Sequence, residues 1–165
     1  MARASAAAEN AALNGLDGTG NSNVIPDVSL HVGDPGTYPP NDTGSDGLSV
    51  AKAAQQLGAI AGYTHAFGLD HVLGAAMTGP LIIGTRWHSD MFNPDPRGVV
   101  HPTGPVEGGH EYCLDAVYAE AKMLRFLNSW SKSWGANGYF YMSFADFSTL
   151  LADHGDAVLF TPKAA

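Results

Sequence analysis

The segments Gly108-Gly109-His110, Asn128-Ser129-Trp130 and Ser133-Trp134-Gly135-Ala136-Asn137-Gly138-Tyr139 decide the fold of this chain. His110 and Asn128 lie eighteen residues apart, and each lies in a segment with a strand-like composition. A histidine and an asparagine at this separation suit an imidazole base whose orientation is held by a side-chain amide. The pair therefore indicates half of a catalytic site, since a nucleophile upstream of it is missing.

Composition sets the class of protein. The chain has 165 residues, of which 45% are hydrophobic, so it can bury one core and carry a short appendage. Its net charge of -8 disfavours phosphate backbones and anionic lipid surfaces, and we expect neither a nucleic-acid nor a membrane partner. The apolar run 4–8 is too short for a signal peptide or a membrane span. We predict a cytoplasmic or virion location.

The N-terminal segment differs in composition from the remainder of the chain. An alanine-rich helix is predicted over 2–16, followed by an arm over 17–47 that is rich in glycine, proline and asparagine and has one strand-like run at 28–32. We divide the chain into a helix and arm at 1–36 and a main domain at 37–165. We also predict that residues 1–36 partly fold back over apolar surface of the main domain.

Periodic patterns begin again after the arm. Helices are predicted over 48–57, with Asp46 or Ser49 as its cap, and over 69–77, ended by Gly79-Pro80. The segment 87–107 is predicted to be a long loop of the kind that carries function. The remaining elements are strands at 63–67, 81–84, 111–117, 122–127, 139–143 and 157–160, and a short helix at 144–151.

From about Gly36 to Phe160 the chain resembles the C-terminal half of papain-like cysteine peptidases, particularly the branch found in phages and bacteria. The resemblance rests on the segments 79–84, 108–111 and 128–139. The segment 35–47 is also similar to the entry segment of the phage-type branch. The resemblance implies an α+β fold, mainly the β-rich C-terminal half with a short N-terminal helix and an extended arm.

The resemblance also implies roles for residues of the site. His110 would be the base, Asn128 its orienter, and Trp130 an indole that shields their hydrogen bond from water. Gly108 and Gly109 would let the backbone approach a bound substrate closely. Two alternatives stay open, because Trp130 could be an ordinary core aromatic and the glycines could mark a β-bulge before a strand. No cofactor is implied.

The chain departs from the family in its nucleophile. The family's cysteine and the glutamine that precedes it lie in the N-terminal half, and neither is present here. The single cysteine, Cys113, lies three residues after His110. Since residues three apart in a strand face opposite sides, Cys113 is predicted to be a buried, inert thiol.

Two accounts of residues 1–36 remain open. In one, the segment 1–16 is the remainder of the helix that normally carries the cysteine, which makes the chain a truncated peptidase. In the other, the segment 10–36 resembles the N-terminal segment of a family of small phage virion proteins. The similarity includes the motif Ser29-Leu30-His31-Val32-Gly33-Asp34-Pro35-Gly36. Both accounts remove the nucleophile.

Other constellations point to no further chemistry. The histidines have no close ligand pair, so we expect no metal site, and His88 is predicted to be a solvated loop residue. The segment 42–47 favours an Asx-turn over a calcium loop. No Gly-x-Ser-x-Gly elbow occurs. Three loop residues could either line a peptide groove or cover the core; they are Trp87, Met91 and Phe92.

Three functional hypotheses follow. The chain could be a papain-like cysteine peptidase by descent that is inactive as a hydrolase, since covalent acyl transfer has no first step without a thiolate. It could instead be a non-catalytic virion protein or a module that binds peptides or surfaces. In the third hypothesis a separate chain supplies the missing cysteine. The expected partners are a polypeptide substrate or ligand, a partner chain that supplies the missing half, or a virion assembly.

Overall fold

The computed structural model describes residues 46–163, and the elements predicted over 2–16 and 28–32 lie outside that range. Within it the helices are α1 (Gly47–Gln56), α2 (Gly68–Ala76) and α3 (Phe144–Ala152), with a short 3-10 helix at Ser89–Phe92. The strands are β1 (Gly62–His65), β2 (Leu81–His88), β3 (Val106–Tyr118), β4 (Met123–Leu127), β5 (Tyr139–Ser143) and β6 (Asp156–Thr161).

All six of these strands form one antiparallel sheet in the order β1-β6-β2-β3-β4-β5. Strand β2 lies inside the sheet, between β6 and β3. Its side chains are buried from Leu81 to Thr85 and again at Trp87, so both of its faces are covered. Helices combined with an antiparallel sheet make this the predicted α+β fold.

The two faces of the sheet are covered by different helices. Helices α2 and α3 pack on one face through Val72, Phe147 and Leu150, and they enclose the aromatic core there. Helix α1 packs on the other face, mainly against β6 and β1, with Val50 and the buried alanines of its inner side. Alternation along each strand therefore sorts the side chains between two cores.

The ends of the helices agree closely with the sequence patterns. Of the two candidate caps for α1, Asp46 is the cap, because its carboxylate accepts the Ser49 backbone N–H at 2.8 Å. The Ser143 hydroxyl likewise accepts the Asp146 backbone N–H at 3.0 Å and starts α3. The predicted strand over 139–143 has the observed bounds of β5.

The predicted loop over 87–107 is too long. Strand β2 continues through His88, and β3 begins at Val106, because Trp87 pairs with Gly108 across the two strands. His88 ends a strand rather than lying in a solvated loop, and its Nδ1 lies 2.9 Å from the Gly104 carbonyl oxygen. Glu107 is an extra residue at a β-bulge in this pair, which obscures the alternation that would have revealed it.

The remaining part of the loop covers an edge of the sheet. Val99 forms a parallel bridge with Tyr141 of β5. The Val100 N–H donates to the Tyr141 carbonyl, and the Tyr141 N–H donates to the Gly98 carbonyl, each at 2.9 Å. These contacts satisfy backbone groups of a strand that ends the sheet.

Gly135 closes the loop between β4 and β5, which carries Asn128 and two tryptophans. Its φ is +56°, and a side-chain carbon placed on it would collide with the Tyr139 carbonyl oxygen. The loop closes on itself through a hydrogen bond from the Asn128 N–H to the Gly138 carbonyl at 2.9 Å. Glycine is thus required at position 135 by both backbone conformation and space.

We predict that Gly135→Ala lowers the free energy of unfolding by about 2 kcal/mol, since alanine is strained at positive φ and the carbonyl cannot easily move. Denaturant titration measures the loss. The matched control is Gly74→Ala in α2, where a new methyl group meets no atom within 4 Å. It should raise stability by roughly 0.5–1 kcal/mol. Equal effects of the two substitutions would contradict the prediction.

Candidate active site

Pairing of β3 with its two neighbours brings the predicted base and orienter together. His110 lies on β3 opposite Thr85 of β2, and Asn128 is the first residue after β4. The β3–β4 pairing ends where Cys113 meets Leu127, so the Asn128 side chain is free to turn toward His110. His110 Nε2 lies 2.8 Å from Asn128 Oδ1. The predicted strand over 122–127 ends at the observed residue, Leu127, so Asn128 directly follows it as expected.

The hydrogen bond fixes which ring nitrogen carries the proton. Asn128 Oδ1 also accepts the Ser129 backbone N–H at 2.8 Å, which identifies this atom as the amide oxygen. Because an amide oxygen can only accept, Nε2 of His110 is the protonated nitrogen. Nδ1 then has its lone pair available, and it makes no hydrogen bond to the residues between 46 and 163. Nδ1 is the atom that can take a proton.

The site is desolvated. His110 and Asn128 are 5% and 7% exposed, and Asn128 Nδ2 is buried without a hydrogen-bond partner in the described part of the chain. Burial lowers the pKa of His110 from its ordinary value of 6.5 to about 4, although the hydrogen bond with Asn128 acts in the opposite direction. The imidazole is therefore neutral at neutral pH and ready to act as a base.

Aromatic rings surround the imidazole. The Trp130 ring stacks on that of His110 at a centroid distance of 4.6 Å, and it also stacks on Phe92 at 5.3 Å. The Trp134 indole N–H donates to the Phe92 carbonyl at 2.9 Å and so fixes that part of the chain. Trp130 thus occupies the place expected of a shield, and its functional role stays a prediction.

The sequence left open whether Trp87, Met91 and Phe92 line a groove or cover the core, and the structure shows where each of them lies. Trp87 and Met91 are 1% and 0% exposed and belong to the core. Phe92 is half-buried and contacts Trp130. What the sequence did not reveal is that Trp87 also contacts His110, with ring centroids 4.9 Å apart. The register of β2 against β3 would have been needed to find it.

The two glycines before His110 lie beside the bulge at Glu107, which agrees with the alternative that they mark a bulge. Gly109 also has open space where a side chain would begin, with no atom within 4 Å. A ligand could therefore approach this backbone closely, and substrate binding by Gly108 and Gly109 stays a prediction.

Cys113 is confirmed as a buried thiol. It is 1% exposed, and burial raises the pKa of its thiol to about 12, so thiolate is negligible at neutral pH. It pairs with Ile82, whereas His110 pairs with Thr85 three residues further along β2. The sulfur and the imidazole therefore lie on opposite faces of the sheet.

Two other histidines make local contacts with acidic side chains. His65 Nε2 contacts Asp156, and His101 Nδ1 lies 3.0 Å from Asp146 Oδ2. Among residues 46–163 no group of three histidine, cysteine or acidic side chains is arranged to hold a metal ion. In the same range, no helix has the length and apolar character required to span a membrane.

Comparison with known proteins identifies the fold. No family model and no curated protein matches the chain. Among solved structures, xylellain, a cysteine protease from Xylella fastidiosa, matches with a TM-score of 0.53 and 21% identity, over 64% of this chain and 41% of its own. A cysteine protease from Carica candamarcensis matches with a TM-score of 0.51 and 15% identity, over 64% and 50%. The fold is papain-like.

A ragweed-pollen cysteine protease in its proform also matches, with a TM-score of 0.51 and 19% identity, over 63% of this chain and 34% of its own. The chain therefore spans between a third and a half of the length of these papain-like structures. The resemblance seen in the sequence is confirmed for the fold, as is its α+β architecture with a mainly β C-terminal part.

Removing the amide partner of His110 should destabilise the protein. We predict that Asn128→Ala lowers the free energy of unfolding by about 1–3 kcal/mol, because the buried Nε2–H loses its acceptor. Denaturant titration measures this loss. Asn128→Asp is the matched variant: it keeps an acceptor and adds a negative charge, which should raise the pKa of His110 in an NMR titration. A loss below about 0.5 kcal/mol in Asn128→Ala would contradict the prediction.

Burial of a neutral His110 also predicts a pH dependence of stability. The unfolded chain binds a proton at this residue below pH 6.5, whereas the folded chain binds it only near pH 4. Stability should therefore fall between pH 6.5 and 4, by roughly 3 kcal/mol from this residue. Denaturant titrations at pH 7 and pH 4 on the wild type and His110→Gln isolate its share. Identical pH profiles of the two proteins would disprove the assignment.

Proposed function

We propose that this chain is a papain-like cysteine peptidase homologue that retains the base and its orienter and does not hydrolyse peptide bonds by itself. The observation that carries the proposal is the 2.8 Å hydrogen bond between His110 Nε2 and Asn128 Oδ1, which leaves Nδ1 as the basic atom. The one thiol in the sequence, that of Cys113, is buried on the opposite face of the sheet.

The chemistry of acyl transfer explains why this chain alone would be inactive. A cysteine peptidase needs a thiolate to attack the carbonyl carbon and a base to take the thiol proton. His110 could take such a proton at Nδ1. Without a thiol near that atom, water would have to attack in its place, and water activated by a single imidazole is a weak substitute.

Nδ1 of His110 makes no hydrogen bond in the described part of the chain, so a ligand or a partner chain could contact it. We propose that a polypeptide is the ligand, because the solved structures that share this fold are proteases. A separate chain that carries a cysteine could complete the site by placing its thiol near Nδ1 of His110. We also propose that residues 37–165 form the papain-like part, and that residues 1–36 are either the remainder of the helical half or a fused phage segment.

A non-catalytic binding module is the second candidate. The open space at Gly109 supports it, because a ligand can bind there with no chemical step. Such a module could belong to a phage virion, as the resemblance of segment 10–36 suggests. Presence of the protein at stoichiometric copy number in purified particles would support this candidate, and complete absence from them would count against it.

A fluorogenic-peptide assay tests the main proposal. We expect no turnover above that of His110→Ala, with or without a thiol-reactive inhibitor, because covalent attack has no nucleophile. Cys113→Ser is the matched control and should behave like the wild type. Inhibitor-sensitive turnover that is lost in His110→Ala would disprove the proposal. If it were also lost in Cys113→Ser, the buried thiol would be the nucleophile after all. Co-purification with a small cysteine-bearing chain would support completion in trans.

A further inference from the structure

Trp87 lies beneath the candidate base although it belongs to a different strand. It is 1% exposed and pairs with Gly108, two residues before His110. Its ring meets the imidazole edge to face, at a centroid distance of 4.9 Å and an interplanar angle of 76°. It meets Trp130 in the same manner at 5.2 Å and 80°. One indole therefore contacts both the base and the ring stacked on it.

These contacts restrict the imidazole from three directions. Asn128 holds Nε2, Trp130 lies over one face of the ring at 27°, and Trp87 stands nearly perpendicular to both rings. A hydrogen bond alone leaves the ring free to tilt about the Nε2–Oδ1 line. Stacking restricts the tilt toward Trp130, and a perpendicular ring at van der Waals distance restricts the remaining rotation.

The indole nitrogen of Trp87 is an energetic cost that an apolar residue at the same position would avoid. Its Nε1 is buried and has no hydrogen-bond partner in the described part of the chain. An unpaired buried N–H costs about 1–3 kcal/mol, and contacts with aromatic faces offset only part of that cost. Phenylalanine or leucine would fill a core position without it. The shape of the indole is thus the property that this position uses.

We propose that Trp87 is a positioning residue for His110: its ring holds the imidazole plane so that Nε2 stays on Asn128 and Nδ1 stays directed away from it. This inference rests on the proposed role of His110 as the retained base. Trp87 touches no substrate in this scheme and acts only through the imidazole. Trp87 and Trp130 stand nearly perpendicular to each other, and between them the imidazole of His110 has one orientation.

NMR of labelled histidine tests the proposal on the whole chain. In the wild type we expect one tautomer of His110, protonated at Nε2, and ring protons shifted upfield by the neighbouring indoles. Trp87→Leu should populate both tautomers and raise the titration midpoint of His110 by one unit or more, a tenfold gain in proton affinity. Trp87→Phe, which restores a smaller aromatic ring, should return both readouts only part of the way to wild type.

Phe126→Leu is the matched control, because Phe126 is fully buried and contacts Tyr112, Phe140 and Phe147 but makes no ring contact with His110. It should lose stability while the tautomer and midpoint of His110 stay unchanged. Equal changes in Phe126→Leu and Trp87→Leu, or no change in Trp87→Leu, would overturn the proposal. These readouts need no catalysis, so they are independent of the peptide assay.

Should Trp87→Leu fail to fold, Trp87→Met provides the same comparison with a longer, unbranched and more adaptable side chain of similar volume. The unaltered protein gives a further test. Mixed tautomers, or ring-proton shifts of His110 at their unstructured values, would overturn the proposal without any substitution.

Discussion

Pairing of β2 with β3 is the constraint on which the site depends. Eight residue pairs, from Leu81 with Leu114 to His88 with Val106, align the two strands. This register puts His110 opposite Thr85 and Trp87 opposite Gly108. A slip by one residue would turn every side chain to the other face and would exchange His110 with a neighbour. The position of the base therefore depends on burial along both strands, and not on the local sequence around it.

Below the imidazole, the same register builds a layer of polar and aromatic side chains. The Thr85 hydroxyl lies 2.8 Å from that of Tyr112, so two buried hydroxyls satisfy each other directly under the site. Tyr112 in turn packs edge to face against Phe126 and Phe140. The base thus rests on a core in which these two hydroxyls are paired and the aromatic rings interlock. A support of this kind keeps a catalytic side chain in place without a ligand.

Most of this arrangement was predictable, and the exceptions share a physical cause. Local signals located α1, with Asp46 as one of two candidate caps, and the bounds of β5, and they selected His110 and Asn128 as the candidate pair. What local signals could not supply was the extension of β2 to His88, because Gly84 and the exposed Arg86 interrupt its pattern. Pairing with a strand some twenty residues away creates that extension. The contact between Trp87 and His110 is a further consequence of that distant pairing.

The segment that follows the 3-10 helix has a consequence for behaviour in concentrated solution. Gly98 and Val100 occupy the N–H and carbonyl groups of Tyr141, the middle residue of the outermost strand β5. An unprotected strand at that position would offer its backbone to a second copy of the chain, which is how sheets recruit one another into ordered aggregates. By pairing with Tyr141, Gly98 and Val100 protect this edge of the sheet from pairing with a second copy of the chain.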